Sequence, residues 1–266
     1  MYMLQEIRTE VEDAYLEVLN HIKIHYPKDY APLIARGEYS KHGVKGVSNY
    51  MLDYMGDIYK DTTRQKFYIT YLNRNYSKEG FYYINSEEDF FALNVEIMIF
   101  SQIWESTCFL KYLARIAAII SGEGYKWNME IPSTNLYKFI RDGIIMPLTN
   151  NNFKLGILLQ NNYNSIVRNA FAHSQYEVDM EKQRITFVHL CHKNSQTQEI
   201  SFKQFQNMFL YAIVLDNFSL HILRRIGMYY LESGHTDVGV VKLPNGNIIH
   251  IKIKERFGEP YYYTEG

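Results

Sequence analysis

Residues 86–120, SEEDFFALNVEIMIFSQIWESTCFLKYLARIAAII, decide the fold class. Ser86 followed by Glu87, Glu88 and Asp89 predicts a helix start, because the hydroxyl caps free amides and the acids meet the positive end of the dipole. No Gly or Pro interrupts the stretch, and Gly122 with Gly124 ends it. A helix of this length is unusual in a globular protein and predicts a helical bundle. The run is also the most apolar of the chain. Yet Glu96, Glu105, Lys111 and Arg115 stand inside it, which excludes a simple membrane span.

Upstream, Ile7, Val11, Tyr15, Val18 and Ile22 recur at helical spacing, predicting an amphipathic helix over 4–26 that Pro27 ends. Residues 27–46, with Pro27, Pro32, Gly37, Gly43 and Gly46, read as a loop. Shorter helices are expected over 48–60 and 63–73, and a brief strand at 82–84. Downstream, Ser133 opens a helix toward Ile145, before Pro147, and 152–160 with 162–177 form a helical pair. Residues 184–190 alternate and are rich in β-formers, so a strand is expected. A polar turn over 193–196 and the short 198–200 complete a small hairpin. Ser201 with Gln204 three residues on is a capping-box pattern, opening a helix that runs to Glu232. Strands over 237–243 and 247–254 flank the hairpin turn Pro244-Asn245-Gly246.

The expected architecture is therefore mainly α: an antiparallel helical bundle with a small β-hairpin before the last long helix and a C-terminal β-hairpin. Three regions are expected: 1–85, helical and able to complete the bundle; 86–232, the bundle itself; and 233–266, the hairpin and tail. The chain has 266 residues, 47% hydrophobic and 21% charged, ordinary for a protein with a real core. A net charge of −1 argues against broad, sequence-blind binding to nucleic acid, so such a partner needs a local patch or groove. The 24 Tyr and 15 Phe mostly read as core packing. Cys108 and Cys191 are too few for a disulfide framework, and the start shows no secretory pattern, so the expected compartment is the cytoplasm.

The chemistry concentrates at Arg168-Asn169-Ala170-Phe171-Ala172-His173. On a helix over 165–176, at about 100° per residue, Ile166, Ala170, Val167 and Phe171 make one apolar face. Ser165, Arg168, Asn169, Ala172, His173 and Tyr176 make the polar face, with Asn169, His173 and Tyr176 in line. Arg168 does not stack on His173, but its long side chain can swing toward it past Ala172. Histidine serves as general base or acid near neutral pH, and guanidinium offers a fork of donors to a phosphate. Asn169 can orient the ring or hold a ligand oxygen. Together these are the parts for metal-free attack of a ribose 2′-hydroxyl on its neighbouring phosphate. A polar helical face is also what ordinary solvation produces.

This segment resembles the R-N-x-x-x-H signature of the HEPN superfamily (higher eukaryotes and prokaryotes nucleotide-binding domains). The context is similar too: a long helix before, a polar turn at Asn161-Asn162, then a small hairpin and a helix, over residues 86–232. The resemblance implies a homodimeric helical bundle acting as a metal-independent endoribonuclease of toxin–antitoxin or phage-defence type. It needs no cofactor, takes RNA or a nucleotide, and implies an antitoxin or defence-system partner. Carried over, His173 is general base or acid, Arg168 binds the phosphate and Asn169 positions. Glu105 is the candidate acidic residue, with Glu96 equally eligible, and Ser165 and Tyr176 are candidate nucleotide contacts. The rival is a non-catalytic nucleotide-binding or protein-interaction module on the same fold.

Other clusters are weaker. His21 and His25 stand one turn apart without an acidic companion, and read as an exposed pair. His189, Cys191 and His192 would need a fourth ligand to hold zinc. Gly43-Val44-Lys45-Gly46 lacks the spacing of a phosphate loop. Lys252, Lys254 and Arg256 alternate on one strand face and could meet an RNA backbone, although lysines guarding a hairpin edge are commoner.

Overall fold

The structure, a computed structural model, describes residues 2–44, 48–52, 55–75, 87–190 and 195–265. The first helix, α1 (Tyr2–His25), buries Val11, Ala14, Tyr15, Val18 and Ile22 along the expected stripe. Pro27 does more than stop it. Proline opens α2 (Pro27–Ile34), where a fixed φ and a missing amide suit a first helical turn. The glycine-containing segment beyond, expected as loop, pairs as an antiparallel hairpin of β1 (Glu38–Val44) and β2 (Ser48–Met51). Of the helix expected over 48–60, residues 48–51 are instead the strand β2, and residues 55–60 join the helix expected over 63–73 as one helix, α3 (Met55–Asn75). Ser86 and the strand expected at 82–84 lie outside the described residues.

The long central helix is two helices. α4 (Glu87–Ile103) ends in a turn at Trp104 and Glu105, and α5 (Thr107–Ile120) starts afresh. Ser106 makes the break: its Oγ accepts the Phe109 amide at 3.3 Å, a cap placed inside an apolar run. The helix expected from Ser133 starts later, after Asn135, as α6 (Leu136–Ile140), a π-helical turn (Arg141–Ile145) and α7 (Met146–Asn150). α8 (Lys154–Asn162) folds back on α7 so closely that a Cβ on Gly156 would stand 2.6 Å from the Thr149 amide nitrogen.

α9 (Ser165–Ala172) is followed by β3 (Tyr176–Asp179), β4 (Arg184–Leu190) and β5 (Ser195–Ser201). These pair antiparallel in the order β3-β4-β5, so the expected hairpin has a third strand taken from the end of the expected helix. The capping box holds: Ser201 Oγ accepts the Gln204 amide at 3.2 Å, and Gln204 Oε1 accepts the Ser201 amide at 2.9 Å. It opens α10 (Phe202–Glu232). The C-terminal hairpin also gains a strand: β6 (Asp237–Lys242), β7 (Ile248–Arg256) and β8 (Glu259–Glu265) pair with β7 in the middle. Phe257 and Gly258, both at positive φ (57° and 76°), form the extra turn.

The chain is mainly helical with small antiparallel sheets. Its buried apolar side chains form one cluster, from Ile7 of α1 to Tyr262 of β8. α10 runs through it, against α1, α4, α8 and the inner faces of β7 and β8. Among the described residues no helix is long and apolar enough to cross a membrane.

Candidate functional site

The Arg-Asn-His segment lies on α9, one of the short helices, whose ends are both fixed by specific bonds. At its start Asn164 Oδ1 accepts the amides of Ile166 (2.9 Å) and Val167 (3.2 Å), an N-cap. Asn164 Nδ2 also donates to Gln198 Oε1 on β5 at 3.0 Å, tying the helix start to the sheet. At its end Ser174 takes the left-handed conformation (φ 52°), with its amide on Phe171 O at 3.1 Å and the Gln175 amide on Ala170 O at 2.7 Å. That is a Schellman stop. His173 is therefore the C-cap, and the helix expected to reach residue 177 ends here.

This corrects the placement of Tyr176, which begins β3 instead of continuing the helical face. Its ring stacks on Phe171 with centroids 6.1 Å apart, and its hydroxyl donates to Asn94 Oδ1 on α4 at 2.6 Å. Burial raises its pKa. Val167 and Ala170 are buried as α9 packs on α4 and β4. Ser165 is half-buried in the first turn.

Arg168 and Asn169 are half-buried and His173 is exposed. The guanidinium curls onto its neighbour: Nε and Nη2 both donate to Asn169 Oδ1, at 3.1 and 2.5 Å. Its charge also reaches Tyr163, just before the cap. Burial dominates there and pushes the Tyr163 pKa up to about 12, with Arg168 pulling it back. The Tyr163 ring packs on Trp104, centroids 4.9 Å apart. Both the Tyr163 hydroxyl and the Trp104 Nε1 are buried without a hydrogen-bond partner. Tyr163 and Trp104 thus make an aromatic wall between the start of α9 and the α4–α5 turn. Sequence reasoning missed that wall. The capping Asn164, immediately before Ser-Ile-Val, was the legible part of it.

The carboxylates are not joined to this group. Glu105, beside Trp104 in the turn, is exposed and makes no ion pair among the described residues. Glu96 is fully buried and accepts the Tyr71 hydroxyl at 3.2 Å. Arg168 and His173 make no hydrogen bond to each other. What the arrangement offers is a cationic fork that makes no ion pair among the described residues and an exposed imidazole, on one short helix.

The remaining clusters are placed as follows. His21 and His25 lie with ring centroids 4.3 Å apart, and His21 meets the edge of Phe153 at 5.1 Å. Among the described residues no group of three His, Cys, Asp or Glu could hold a metal. Cys191 and His192 lie outside the described residues, as do 45–47 of the glycine segment. A cavity of about 680 Å³ opens between α3, α10 and β8, with Arg36, Lys66, His221 and Tyr262 in its wall; no residue of the α9 motif lines it. Set against known proteins, the chain matches no family model, no curated protein and no solved structure.

Proposed function

We propose that the chain is a metal-independent endoribonuclease of toxin or phage-defence type, acting as a homodimer of helical bundles in the cytoplasm. The observation that carries this reading is the exposure of His173 on the same short helix as a guanidinium that makes no ion pair with a carboxylate among the described residues. A structural Arg–Asn–His network would be sealed and bonded to its own backbone. Here the imidazole faces solvent, and the fork keeps donors for a phosphate.

In the proposed reaction His173 takes the proton of a ribose 2′-hydroxyl, whose oxygen attacks the adjacent phosphorus. Arg168 meets the charge growing on the non-bridging oxygens. The 5′-oxygen leaves with the pair of the broken P–O bond and is protonated by an imidazolium, supplied by His173 of the second copy. The products are a 2′,3′-cyclic phosphate and a 5′-hydroxyl. Two copies are needed because one α9 presents a single imidazole. An antitoxin or defence-system partner would cover this surface.

The rival reading is a nucleotide-binding or protein-interaction module without cleavage, favoured by the separation of Glu105 from the motif. The test is a labelled RNA pool of random sequence, incubated with purified protein in excess chelator. Cleavage by the wild type and its loss in Arg168→Ala and His173→Ala support the enzyme. No cleavage, with a nucleotide bound and lost in the same variants, supports the module.

A further inference from the structure

The C-terminal sheet has one face on the protein and one in water. Ile249, Ile251 and Ile253 of β7 and Tyr262 of β8 are buried, while the alternate positions point outward. On that outer face the register sets Lys252 opposite Tyr263 and Lys254 opposite Tyr261. The Lys254 ammonium stands 4.8 Å from the Tyr263 ring centroid and 5.8 Å from that of Tyr261. The Arg256 guanidinium stands 5.1 Å from the Tyr261 centroid and 5.5 Å from that of Phe257. Phe257 is 92% exposed, which for a phenylalanine in a tight turn has no packing explanation.

Two ordinary explanations for such cations fail. Lysines protect sheet edges from pairing, but β7 is the central strand, hydrogen-bonded on both sides, and has no edge to guard. Neither Lys254 nor Arg256 makes a salt bridge among the described residues, and the nearby Glu259 is held by Arg224 from α10. What is left is Lys254 and Arg256, two cations at alternate strand positions about 7 Å apart, each beside aromatic rings. Phosphates of an extended strand repeat on that scale, and bases stack on exposed rings whatever their identity.

We propose that the outer face of this sheet, Lys254, Arg256, Phe257, Tyr261 and Tyr263, binds single-stranded nucleic acid. The cations meet phosphates, and Phe257 with Tyr261 takes bases. The local patch also fits a chain whose net charge of −1 gives no general attraction to polyanions. The site does not depend on cleavage by α9, so its test uses a strand that cannot be cut.

The probe is a fluorescein-labelled 2′-O-methyl oligouridine of about twelve nucleotides, followed by anisotropy at several salt concentrations. The full chain should bind it, more tightly than the same strand annealed to its complement. Phe257→Ala should weaken binding about tenfold. Lys254→Gln with Arg256→Gln should lower the slope of log affinity against log salt by about 1.4, at about 0.7 per cation. Lys203→Ala, an exposed cation on α10, should change nothing. The probe has no free 2′-hydroxyl to attack, and the substitutions that must weaken it all lie on the sheet, so a failed cleavage reading leaves this result standing. No binding at about 50 mM salt, binding indifferent to all three sheet substitutions, or a duplex preferred to the single strand would each overturn the proposal.

Discussion

Asn169 is bonded to both Arg168 and His173: its side-chain carbonyl accepts Arg168 Nε and Nη2 at 3.1 and 2.5 Å, and its backbone carbonyl accepts the His173 amide at 3.2 Å. Adjacent helical residues do not face each other. The contact therefore wraps the arginine around α9 toward the side on which Asn169 and His173 follow one another.

Under the proposed function Asn169 is a positioning residue. Asn169→Ala should lower kcat for RNA cleavage by about tenfold or more with little change in KM, and Asn169→Asp, which still offers oxygens to the fork, should recover part of it. Arg168→Ala should cost on the order of a hundredfold, the usual effect of losing one charge-stabilising donor. Steady-state kinetics on one labelled oligonucleotide check both. Equal rates for Asn169→Ala and wild type would remove the positioning role.

The ends of α9 give opposite stability predictions. Asn164→Ala loses two amide caps and the bond to Gln198, and should cost about 1 kcal/mol. Ser174→Gly relieves a left-handed serine and should add about 1 kcal/mol while leaving His173 in place. Urea unfolding of the two variants measures the pair, and the signs must differ.

A third stability test lies far from the motif. Glu38 of β1 receives Arg115 at 2.8 Å and Lys111 at 3.1 Å, both from α5, and Arg115 is 5% exposed. Glu38→Ala leaves that guanidinium buried without its counter-charge, and should destabilise by about 3–5 kcal/mol. Arg115 keeps the carbonyls of Lys126 and Trp127, so the lower end of the range is expected. A loss below about 1 kcal/mol in urea unfolding would show the pair to be solvated.

Long, strongly periodic helices were legible because one stripe suffices to place them: α1 and α10 stand where the pattern of apolar residues and the Ser201–Gln204 box put them. The breaks were harder. Ser106 is an unremarkable serine in an apolar run until its hydroxyl meets the Phe109 amide, and it splits the helix over 86–120. Tyr176 fits a helical wheel as well as a strand, and what moves it is Ser174, a serine accepting a conformation that glycine usually fills. β8 was missed because its turn, Phe257-Gly258, carries a phenylalanine where turn residues are normally polar. That Arg168 and Asn169 share one helix was legible, while the guanidinium expected to swing toward His173 instead bonds Asn169. The packing of Tyr163 on Trp104 was not legible, since residues so distant in sequence meet only through packing.

Stability should also fall in mild acid. Burial first, with His25 nearby, lowers the pKa of His21, and burial first, with Arg224 nearby, lowers that of His221. Below the ordinary histidine pKa of about 6.5 the unfolded chain takes up protons that the folded chain refuses, so stability declines as pH falls through that value and is flat above it. The urea midpoint should be lower at about pH 5.5 than at about pH 7.5, and His21→Gln with His221→Gln should narrow the gap. An unchanged gap would assign the acid sensitivity to other groups.

The most direct measurement is the chemistry of the ends left when the protein meets a random RNA pool in excess chelator, beside a fully 2′-O-methylated pool. The wild type should cut only the first, leaving 2′,3′-cyclic phosphates and 5′-hydroxyls, and His173→Ala should leave it whole. Cutting of the methylated pool, 5′-phosphate ends, or undiminished cutting by His173→Ala would contradict an imidazole-driven attack by the ribose hydroxyl.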